Sequence, residues 1–218
     1  VEPIKKAPSF PSPIDRIVMV GGTEAQQHAL LAHYPNAQII DLASAQIDDM
    51  TRQLKAQGPI DHLVWIAPDD ATLSHAQEGM IEAQQQGVLQ CFRLIKSLLG
   101  LGYASKTLGW SVMTRQTQLV TQRDRVNPTH ASVHGLIGSM AKEYPNWKVR
   151  LVDLEDDNDW PLLELCMLPT DPQGNAWAHR SGQWYRQHLL PSELAAQESS
   201  LYKQGGVYVV IGGAGGIG

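Results

Sequence analysis

Short apolar runs alternate along the chain with longer stretches whose apolar residues recur every three or four positions. The short runs, rich in β-branched and aromatic residues, predict buried strands, and the longer stretches predict amphipathic helices. The predicted strands cover Arg16–Val20, Ala37–Leu42, His62–Ala67 and residues 107–114 and 147–154. The predicted helices cover residues 23–34, 45–58, 76–99, 129–144 and 160–168. A predicted hairpin over residues 176–190 turns at Ser181-Gly182.

Strands that alternate with helices in this way predict parallel βαβ crossovers. The fold class is therefore α/β, with a Rossmann-like doubly wound parallel sheet over residues 16–190. The most continuously apolar segments, His62–Ala67, Leu108–Met113 and Val149–Asp153, are expected at the centre of the sheet, where both faces are covered. Thr23 is expected to cap the first helix.

The flanking sequence predicts two linkers and the start of a second unit. Residues 1–15 include the proline-rich stretch VEPIKKAPSFPSP, which predicts an extended linker. The polar residues 191–206 predict another linker, and the apolar run from Val207 predicts a new strand. We therefore expect residues 207–218 to begin a second domain.

The composition argues against several kinds of partner. The chain has 43% hydrophobic and 18% charged residues and a formal net charge of -5, without the lysine and arginine cluster typical of nucleic-acid binding. No segment approaches the roughly 18 apolar residues of a membrane span, and no signal pattern opens the chain, so we expect a cytoplasmic protein without a membrane partner. Cys91 and Cys166 lie in apolar helical contexts and are expected to be buried and reduced.

A glycine-rich loop follows the last predicted strand in VYVVIGGAGGIG. Gly212, Gly216 and Gly218 have the spacing G-x-x-x-G-x-G, and Gly213, Gly215 and Gly218 also fit G-x-G-x-x-G. A phosphate-binding loop needs glycines because its backbone turns sharply and approaches the pyrophosphate closely. Directly after a strand, the run predicts nucleotide binding, and the alternative is a glycine-rich turn without a ligand.

An earlier segment, VMVGGTE, is a less complete copy of the same design. It contains Gly21 and Gly22 but lacks a third glycine where the helix should pack closely on the strand. Glu24 would also place a negative charge beside a bound phosphate. We expect this loop to be structural, so that Gly21→Ala leaves nucleotide binding by the intact protein nearly unchanged while Gly216→Ala weakens it.

Three residues have roughly the spacing of the catalytic set of short-chain dehydrogenases, namely Ser132, Tyr144 and Lys148. That chemistry needs the tyrosine and the lysine one helical turn apart on the same face, so that the ammonium lowers the pKa of the phenol. Pro145 directly after the tyrosine disfavours a continuing helix. We therefore do not expect these residues to form a catalytic site.

Two other polar patterns could bind a metal ion. His130 and His134 are four residues apart on a predicted helix, but no third ligand recurs in a known pattern, so a structural or solvated pair is expected. The acidic run EDDND, Glu155–Asp159, lies between a predicted strand and a predicted helix. It is expected to be a solvated cluster that favours the helix N-terminus, with a divalent-cation site as the alternative, and no metal is predicted.

Segments along most of the chain resemble the ketoreductases of modular type I polyketide synthases, in the order in which that family has them. His134–Glu155, HGLIGSMAKEYPNWKVRLVDLE, resembles a segment of the structural subdomain in which G-L-x-x-x-x-x-x-E-x-P-x-W-x-x-R-L-V-D-L is typical. HLVWIAP, FRLIKSLL and LGWSVMTRQTQLV resemble the segments before it, and AHRSGQWYRQHLLP resembles the hairpin after it. GGVYVVIGGAGGIG resembles the opening of the catalytic subdomain, and its residues are most similar to those of synthases served by separate acyltransferases.

The resemblance implies a ketoreductase of two Rossmann-like halves. In that family the first half has lost cofactor binding and supports the second, which uses NADPH to reduce the β-ketone of a polyketide bound to an acyl carrier protein. Gly212, Gly216 and Gly218 would then bind NADPH in the intact domain, whereas this chain alone would bind none. The family's catalytic residues would lie beyond Gly218, so this chain would hold none of them and would be inactive alone.

The same resemblance implies the partners, and two other functions remain open. The implied partners are the catalytic ketoreductase subdomain, the acyl carrier protein and the neighbouring synthase domains. The first alternative function is a non-catalytic pseudo-ketoreductase that acts as a scaffold within the synthase. The second is a free-standing nucleotide-binding protein that uses Gly21 and Gly22.

Overall fold

A seven-stranded sheet dominates the computed structural model, which describes residues 11–42, 46–68, 78–155, 160–192 and 202–211. The strands are β1 (Ile17–Gly21), β2 (Gln38–Ile40), β3 (His62–Ile66), β4 (Leu108–Arg115), β5 (Trp147–Leu154), β6 (Trp177–Arg180) and β7 (Gln183–Arg186). Their order is β2-β1-β3-β4-β5-β6-β7, and every neighbouring pair is parallel except β6 and β7. The doubly wound α/β fold is confirmed, and the three strands expected at the centre are there.

Helices cover both faces of the sheet. They are α1 (Glu24–His33), α2 (Ile47–Ala56), α3 (Gly79–Ala83), α4 (Val88–Gly100), α5 (Ala131–Glu143) and α6 (Leu162–Met167). Because successive strand residues point to opposite faces, Val18 and Val20 of β1 join the core formed with α2, α4 and α5. Ile17 and Met19 join the core formed with α1 and α6. The described part of the chain contains no helix long and apolar enough to cross a membrane.

The predicted helix over residues 76–99 is wrong as a single element. Residues 69–77 lie outside the described structure, and the remainder forms two helices, α3 and α4, separated by turns at residues 84–87. The break follows from the sequence QQQG, which offers no apolar face, and from Gly87, whose backbone packs against an imidazole. A Cβ at Gly87 would lie 2.5 Å from His130 Nδ1. Gly87 is the residue directly before α4, and the lack of a side chain there makes room for the histidine.

Several local predictions are confirmed. Thr23 caps α1, and the hairpin between β6 and β7 turns at Ser181 and Gly182, whose φ angles of 49° and 74° fit a type I′ turn. Cys91 is fully buried, which raises the pKa of its thiol, whereas the side chain of Cys166 lies outside the described structure. The strand predicted over residues 37–42 is shorter, because only Gln38–Ile40 pair with β1.

Part of the predicted N-terminal linker packs on the domain. Residues 1–10 lie outside the described structure, but Pro11 is buried and its carbonyl oxygen accepts a hydrogen bond of 2.9 Å from the Tyr34 hydroxyl. The carboxylate of Asp15 accepts from the Ser12 N–H at 2.8 Å. Residues 11–15 are therefore held by α1 and by a local turn.

Residues 189–218 form a second compact unit, of which residues 189–192 and 202–211 are described. The strand predicted from Val207 is not formed there, since residues 207–210 have no regular backbone structure. The side chains from Val207 to Ile211 are 51–96% exposed. A strand needs a neighbouring backbone to bond, and the described residues of this unit provide none. A run of β-branched and aromatic residues that is well suited to a strand therefore has no regular structure here and stays exposed.

Candidate functional site

The strand order places a crevice at the carboxyl ends of β1 and β3. From β1 the chain passes to β2 on one side, whereas β3 lies on the other side, and ligands of open α/β sheets bind at such a switch point. The crevice has a volume of about 380 Å³. Its lining includes Gly21, Gly22, Asp41, Ile66, Gln90 and Arg115. This is where a nucleotide would bind if the first glycine pair formed a site.

The two glycines of this loop are required by the sheet itself. Gly21 and Gly22 have φ angles of +79° and +82°, a region that side chains disfavour. A Cβ at Gly21 would lie 2.3 Å from the Ile66 carbonyl oxygen on the neighbouring strand. A Cβ at Gly22 would lie 2.8 Å from Cδ1 of the same isoleucine. The glycines therefore allow β1 and β3 to approach closely, whatever the loop binds.

The N-terminus of α1 satisfies its own backbone. The Thr23 hydroxyl accepts from the Gln26 N–H at 3.3 Å, and the Gln26 side-chain oxygen accepts from the Thr23 N–H at 2.9 Å, which completes a capping box. The Gln27 side-chain amide donates to the carbonyl oxygens of Gly21 and Gly22, both at 3.2 Å. Two of the N–H groups at the start of the helix, those of Thr23 and Gln26, are thus engaged by the chain's own side chains.

These observations do not fit a bound pyrophosphate at the first loop. Glu24 is exposed in the first turn of α1, so its carboxylate adds repulsion to a cap that is already closed. The Gln90 side chain is also engaged, since it accepts from Trp65 Nε1 at 2.7 Å and donates to the Leu42 carbonyl oxygen at 3.2 Å. Gly212, Gly216 and Gly218, the residues predicted to bind NADPH, lie outside the described residues.

The dehydrogenase-like set is distributed over separate elements. Ser132 donates to the Gln84 side-chain oxygen at 2.9 Å. Tyr144 follows the last residue of α5 and stacks on Trp147, with ring centroids 5.0 Å apart. Lys148 is exposed on β5. The structure therefore does not bring the tyrosine and the lysine onto one helical face.

The described residues of the two candidate metal-binding patterns are also engaged in other contacts. His130 precedes α5 and packs against Gly87, whereas His134 Nε2 lies 2.7 Å from Thr114 Oγ1. Within the acidic run, residues 156–159 lie outside the described structure, and Glu155 Oε1 accepts from the Ser181 N–H at 2.8 Å. Among the described residues, no three His, Cys, Asp or Glu side chains are placed to hold a metal ion.

A buried polar network at the carboxyl ends of β4 and β5 was not predicted from the sequence. Asp153 is fully buried, and its Oδ1 accepts from the Thr114 and Thr117 hydroxyls, both at 2.7 Å, and from the Thr117 N–H at 2.9 Å. Its Oδ2 accepts from the Gln118 N–H at 3.0 Å and from Arg180 Nη2 at 2.5 Å. The carboxylate is therefore fully hydrogen-bonded without water.

Arg180 completes this network from β6. Its Nε donates to Asp124 Oδ2 at 3.2 Å, and its Nη1 donates to the carbonyl oxygens of Asp153 and His179. Its Nη2 donates to the Gln118 carbonyl oxygen and to the Asp153 carboxylate. All five N–H groups of the guanidinium therefore have acceptors, and one cation holds two carboxylates and the loop that follows β4.

His134 of α5 joins the network through its Nε2, which lies 2.7 Å from Thr114 Oγ1 and 2.8 Å from Thr117 Oγ1. Because each hydroxyl proton is directed to Asp153, we assign the imidazole proton to Nε2, which donates to the hydroxyl oxygens. Burial lowers the pKa of His134 to about 4, although the Asp153 charge opposes the shift.

We expect acid to destabilise the protein through His134 between about pH 6.5 and pH 4. In this range the unfolded chain binds a proton that the folded state does not. The free energy of unfolding therefore decreases as the pH is lowered, by roughly 3 kcal/mol in total. His134→Gln, which keeps a donor but cannot titrate, should reduce this slope in urea titrations at a series of pH values. His28→Gln on the exposed face of α1 is the control, and equal slopes in both variants would contradict the assignment.

The network left two signals in the sequence. Asp153 is a charged residue within the apolar run RLVDL, and Arg180 directly precedes the predicted hairpin turn. A charge within a buried strand needs a partner of opposite charge, and Arg180, which lies two predicted elements later in the sequence, is a candidate for that partner. Pairing the two required the strand order, because β5 and β6 become neighbours only in the folded sheet.

The chain is similar over almost its whole length to a segment of two polyketide synthases of Bacillus subtilis (strain 168). It is 47% identical to Polyketide synthase PksN over 209 residues, which cover 95% of this chain and 4% of that protein. It is also 47% identical to Polyketide synthase PksM over 204 residues, which cover 93% of this chain and 5% of that protein. The chain thus spans about a twentieth of the length of these curated relatives. No family model matches the chain.

The fold is also similar to that of a solved structure, described as "Structure of A-type Ketoreductases from Modular Polyketide Synthase". The superposition has a TM-score of 0.60 and 20% sequence identity, and it covers 82% of this chain and 39% of that one. At this identity the similarity concerns the fold alone.

Proposed function

We propose that this chain, a homologue of a segment of bacterial polyketide synthases with a ketoreductase-like fold, is the structural half of a ketoreductase. In this proposal the intact domain reduces the β-ketone of a polyketide bound to an acyl carrier protein, with NADPH as the reductant. The described domain supports the catalytic half and takes no part in the hydride transfer. The synthase is proposed to be cytoplasmic and of the kind served by a separate acyltransferase.

The closed cap of α1 is the observation that carries this proposal. A Rossmann-like unit that binds a dinucleotide leaves the N–H groups of its first helix open to the pyrophosphate. Here Thr23 and Gln26 bond each other, and Gln27 bonds the two glycine carbonyls. The unit has the architecture of a nucleotide-binding fold, but its own side chains occupy two of the N–H groups at the start of α1, as expected for a supporting half.

The proposal predicts that residues 1–218 alone neither bind NADPH nor reduce a β-keto thioester. A calorimetric titration with NADPH should give only the heat of dilution, and the absorbance of NADPH should stay constant in the presence of the thioester. The intact protein should bind NADPH and consume it, and Gly216→Ala should weaken binding because a Cβ would obstruct the approach of the pyrophosphate.

Three outcomes separate the possible functions. Tight binding of NADPH by residues 1–218 would contradict the proposal and favour a site at Gly21 and Gly22. Binding without reduction by the intact protein would favour a scaffold with a degenerate catalytic half. Reduction by residues 1–218 would mean that the catalytic residues lie within this chain.

A further inference from the structure

The crevice at the carboxyl ends of β1 and β3 contains a carboxylate whose acceptor oxygens are available. Asp41 directly follows β2 and lines the crevice. Among the residues that the structure describes, its exposed carboxylate has no hydrogen-bond or ion-pair partner. By contrast, the side chains of Thr23, Gln26 and Gln90 are bonded within the chain. Asp41 can therefore accept hydrogen bonds from a ligand in the crevice.

The strand register places Asp41 beside the glycine loop. Val20 of β1 pairs with Ile40 of β2, so Gly21 and Asp41 are the next residues along two adjacent parallel strands. In dinucleotide-binding α/β units, the acidic residue that accepts from the ribose hydroxyls lies about 20 residues after the glycine loop. Asp41 lies 20 residues after Gly21. The position of a ribose-binding carboxylate is therefore occupied by a suitable residue.

The size and the walls of the crevice suit a single nucleoside. Val20, Leu42 and Ile66 contribute apolar lining, against which a flat base can pack. The volume of about 380 Å³ is at the low end of the roughly 300–1,000 Å³ typical of small-molecule sites. The crevice therefore offers an acceptor for hydroxyl groups beside an apolar surface for a ring.

The same crevice is unfavourable for phosphate groups. In a nucleotide whose ribose lies on an acidic residue after β2, the phosphates approach the N-terminus of the first helix. Here Thr23 and Gln26 bond each other, and Glu24 adds a negative charge in the first turn of α1. A phosphate on the ribose 2′ oxygen would face the Asp41 carboxylate itself. These charges select against nucleotides and in favour of an uncharged nucleoside.

We propose that this crevice binds a nucleoside with a free ribose diol. The 2′ and 3′ hydroxyls donate to the Asp41 carboxylate, and the base packs on the apolar walls. The ligand carries no phosphate, unlike the dinucleotides that bind at an open helix N-terminus. This site goes beyond the proposed function, because it lies wholly within the described half and excludes NADPH.

The test titrates the 218-residue chain with adenosine, 2′-deoxyadenosine and AMP by calorimetry. Adenosine should bind with a Kd of about 1 mM or tighter. 2′-Deoxyadenosine should bind about tenfold more weakly, because it lacks one hydroxyl that donates to a charged acceptor. AMP should also bind more weakly than adenosine. Glu24→Gln should reduce the difference between AMP and adenosine, because it removes the negative charge at the start of α1.

Asp41→Asn and Asp48→Asn form a matched pair of variants. Each removes one exposed carboxylate, but Asp48 lies in the first turn of α2, outside the crevice. Asp41→Asn should weaken adenosine binding about fivefold or more, since an amide is a weaker acceptor than a carboxylate. Asp48→Asn should change the affinity less than about twofold. Thermal unfolding checks that both variants are folded.

Four outcomes would each overturn the nucleoside proposal. They are adenosine heats no larger than dilution, equal affinities for adenosine and 2′-deoxyadenosine, tighter binding of AMP than of adenosine, and equal adenosine affinities in the two aspartate variants. The comparison with 2′-deoxyadenosine uses the unaltered chain, so it tests the diol even if a variant does not fold. NADPH titrated into the same chain tests the proposed function separately.

Discussion

Gly21→Ala is expected to destabilise the sheet domain by about 2 to 5 kcal/mol. A side chain at φ +79° costs about 1 to 2 kcal/mol in backbone conformation. The new Cβ would also lie 2.3 Å from the Ile66 carbonyl oxygen, and overpacking of this kind costs about 1 to 3 kcal/mol more. Because β1 and β3 are paired there, relief of the overlap would require the sheet itself to move.

Gly58→Ala is a closely matched control for this prediction. Gly58 follows α2 with the same φ of +79°, but no atom lies within 4 Å of the position of its Cβ. It should therefore incur only the backbone cost, about 1 to 2 kcal/mol. Urea unfolding of both variants measures the difference, and equal losses of stability would mean that the contact with Ile66 relaxes without cost.

This result would change the interpretation of the first glycine pair. The sequence predicted that Gly21→Ala leaves nucleotide binding nearly unchanged, because the first loop is not a binding site. The structure supports a structural loop, but it makes the substitution harmful for another reason, the close approach of two strands. A loss of NADPH affinity in this variant would consequently report damage to the fold, and stability has to be measured in the same samples.

The fold could be predicted because its strands carry a strong local signal. β3 is buried at all five positions, and residues 63–66 form an uninterrupted apolar run, so its central place followed from the sequence pattern alone. The cap at Thr23 and the turn at Ser181 and Gly182 each depend on residues adjacent in sequence. Such features need no knowledge of the tertiary structure.

The features that the sequence did not reveal depend on distant contacts. The break before α4 follows from the packing of His130 against Gly87, residues more than forty positions apart. The closed cap of α1 needed the side-chain geometry of Gln26 as well as its identity. The run from Val207 has the composition of a strand, but a strand also needs a neighbouring backbone. The residues predicted to bind NADPH, Gly212, Gly216 and Gly218, remain a prediction.

The exposed run from Val207 to Ile211 bears on the proposed two-half organisation. Five successive large side chains, all β-branched or aromatic, are at least half exposed. Contiguous exposed apolar surface of this kind usually marks a contact with another protein surface or a site of aggregation. Under the proposed function, this run pairs within the sheet of the catalytic half, which would bury it.

Asp153→Ala is expected to destabilise the domain by about 3 to 5 kcal/mol, a large part of the 5 to 15 kcal/mol typical of a folded domain. Among the described residues, the substitution leaves Asp124 as the remaining carboxylate partner of the buried Arg180 guanidinium. It also removes the acceptor of the Thr117 and Gln118 N–H groups. The loop that follows β4, residues 116–127, should therefore lose its fixed conformation together with the stability of the sheet edge.

Two further variants identify the source of this effect in urea unfolding at pH 7. Asp153→Asn keeps the size of the side chain and an oxygen acceptor but removes the charge, so it should be less harmful than the alanine. Asp49→Ala breaks the exposed ion pair of α2 with Arg52 and should change the stability by less than about 1 kcal/mol. Hydrogen exchange of the Thr117 and Gln118 amides should accelerate in Asp153→Ala and stay slow in Asp49→Ala. If Asp153→Ala and Asp49→Ala are equally stable, the buried network contributes nothing to the fold and the loop has another support.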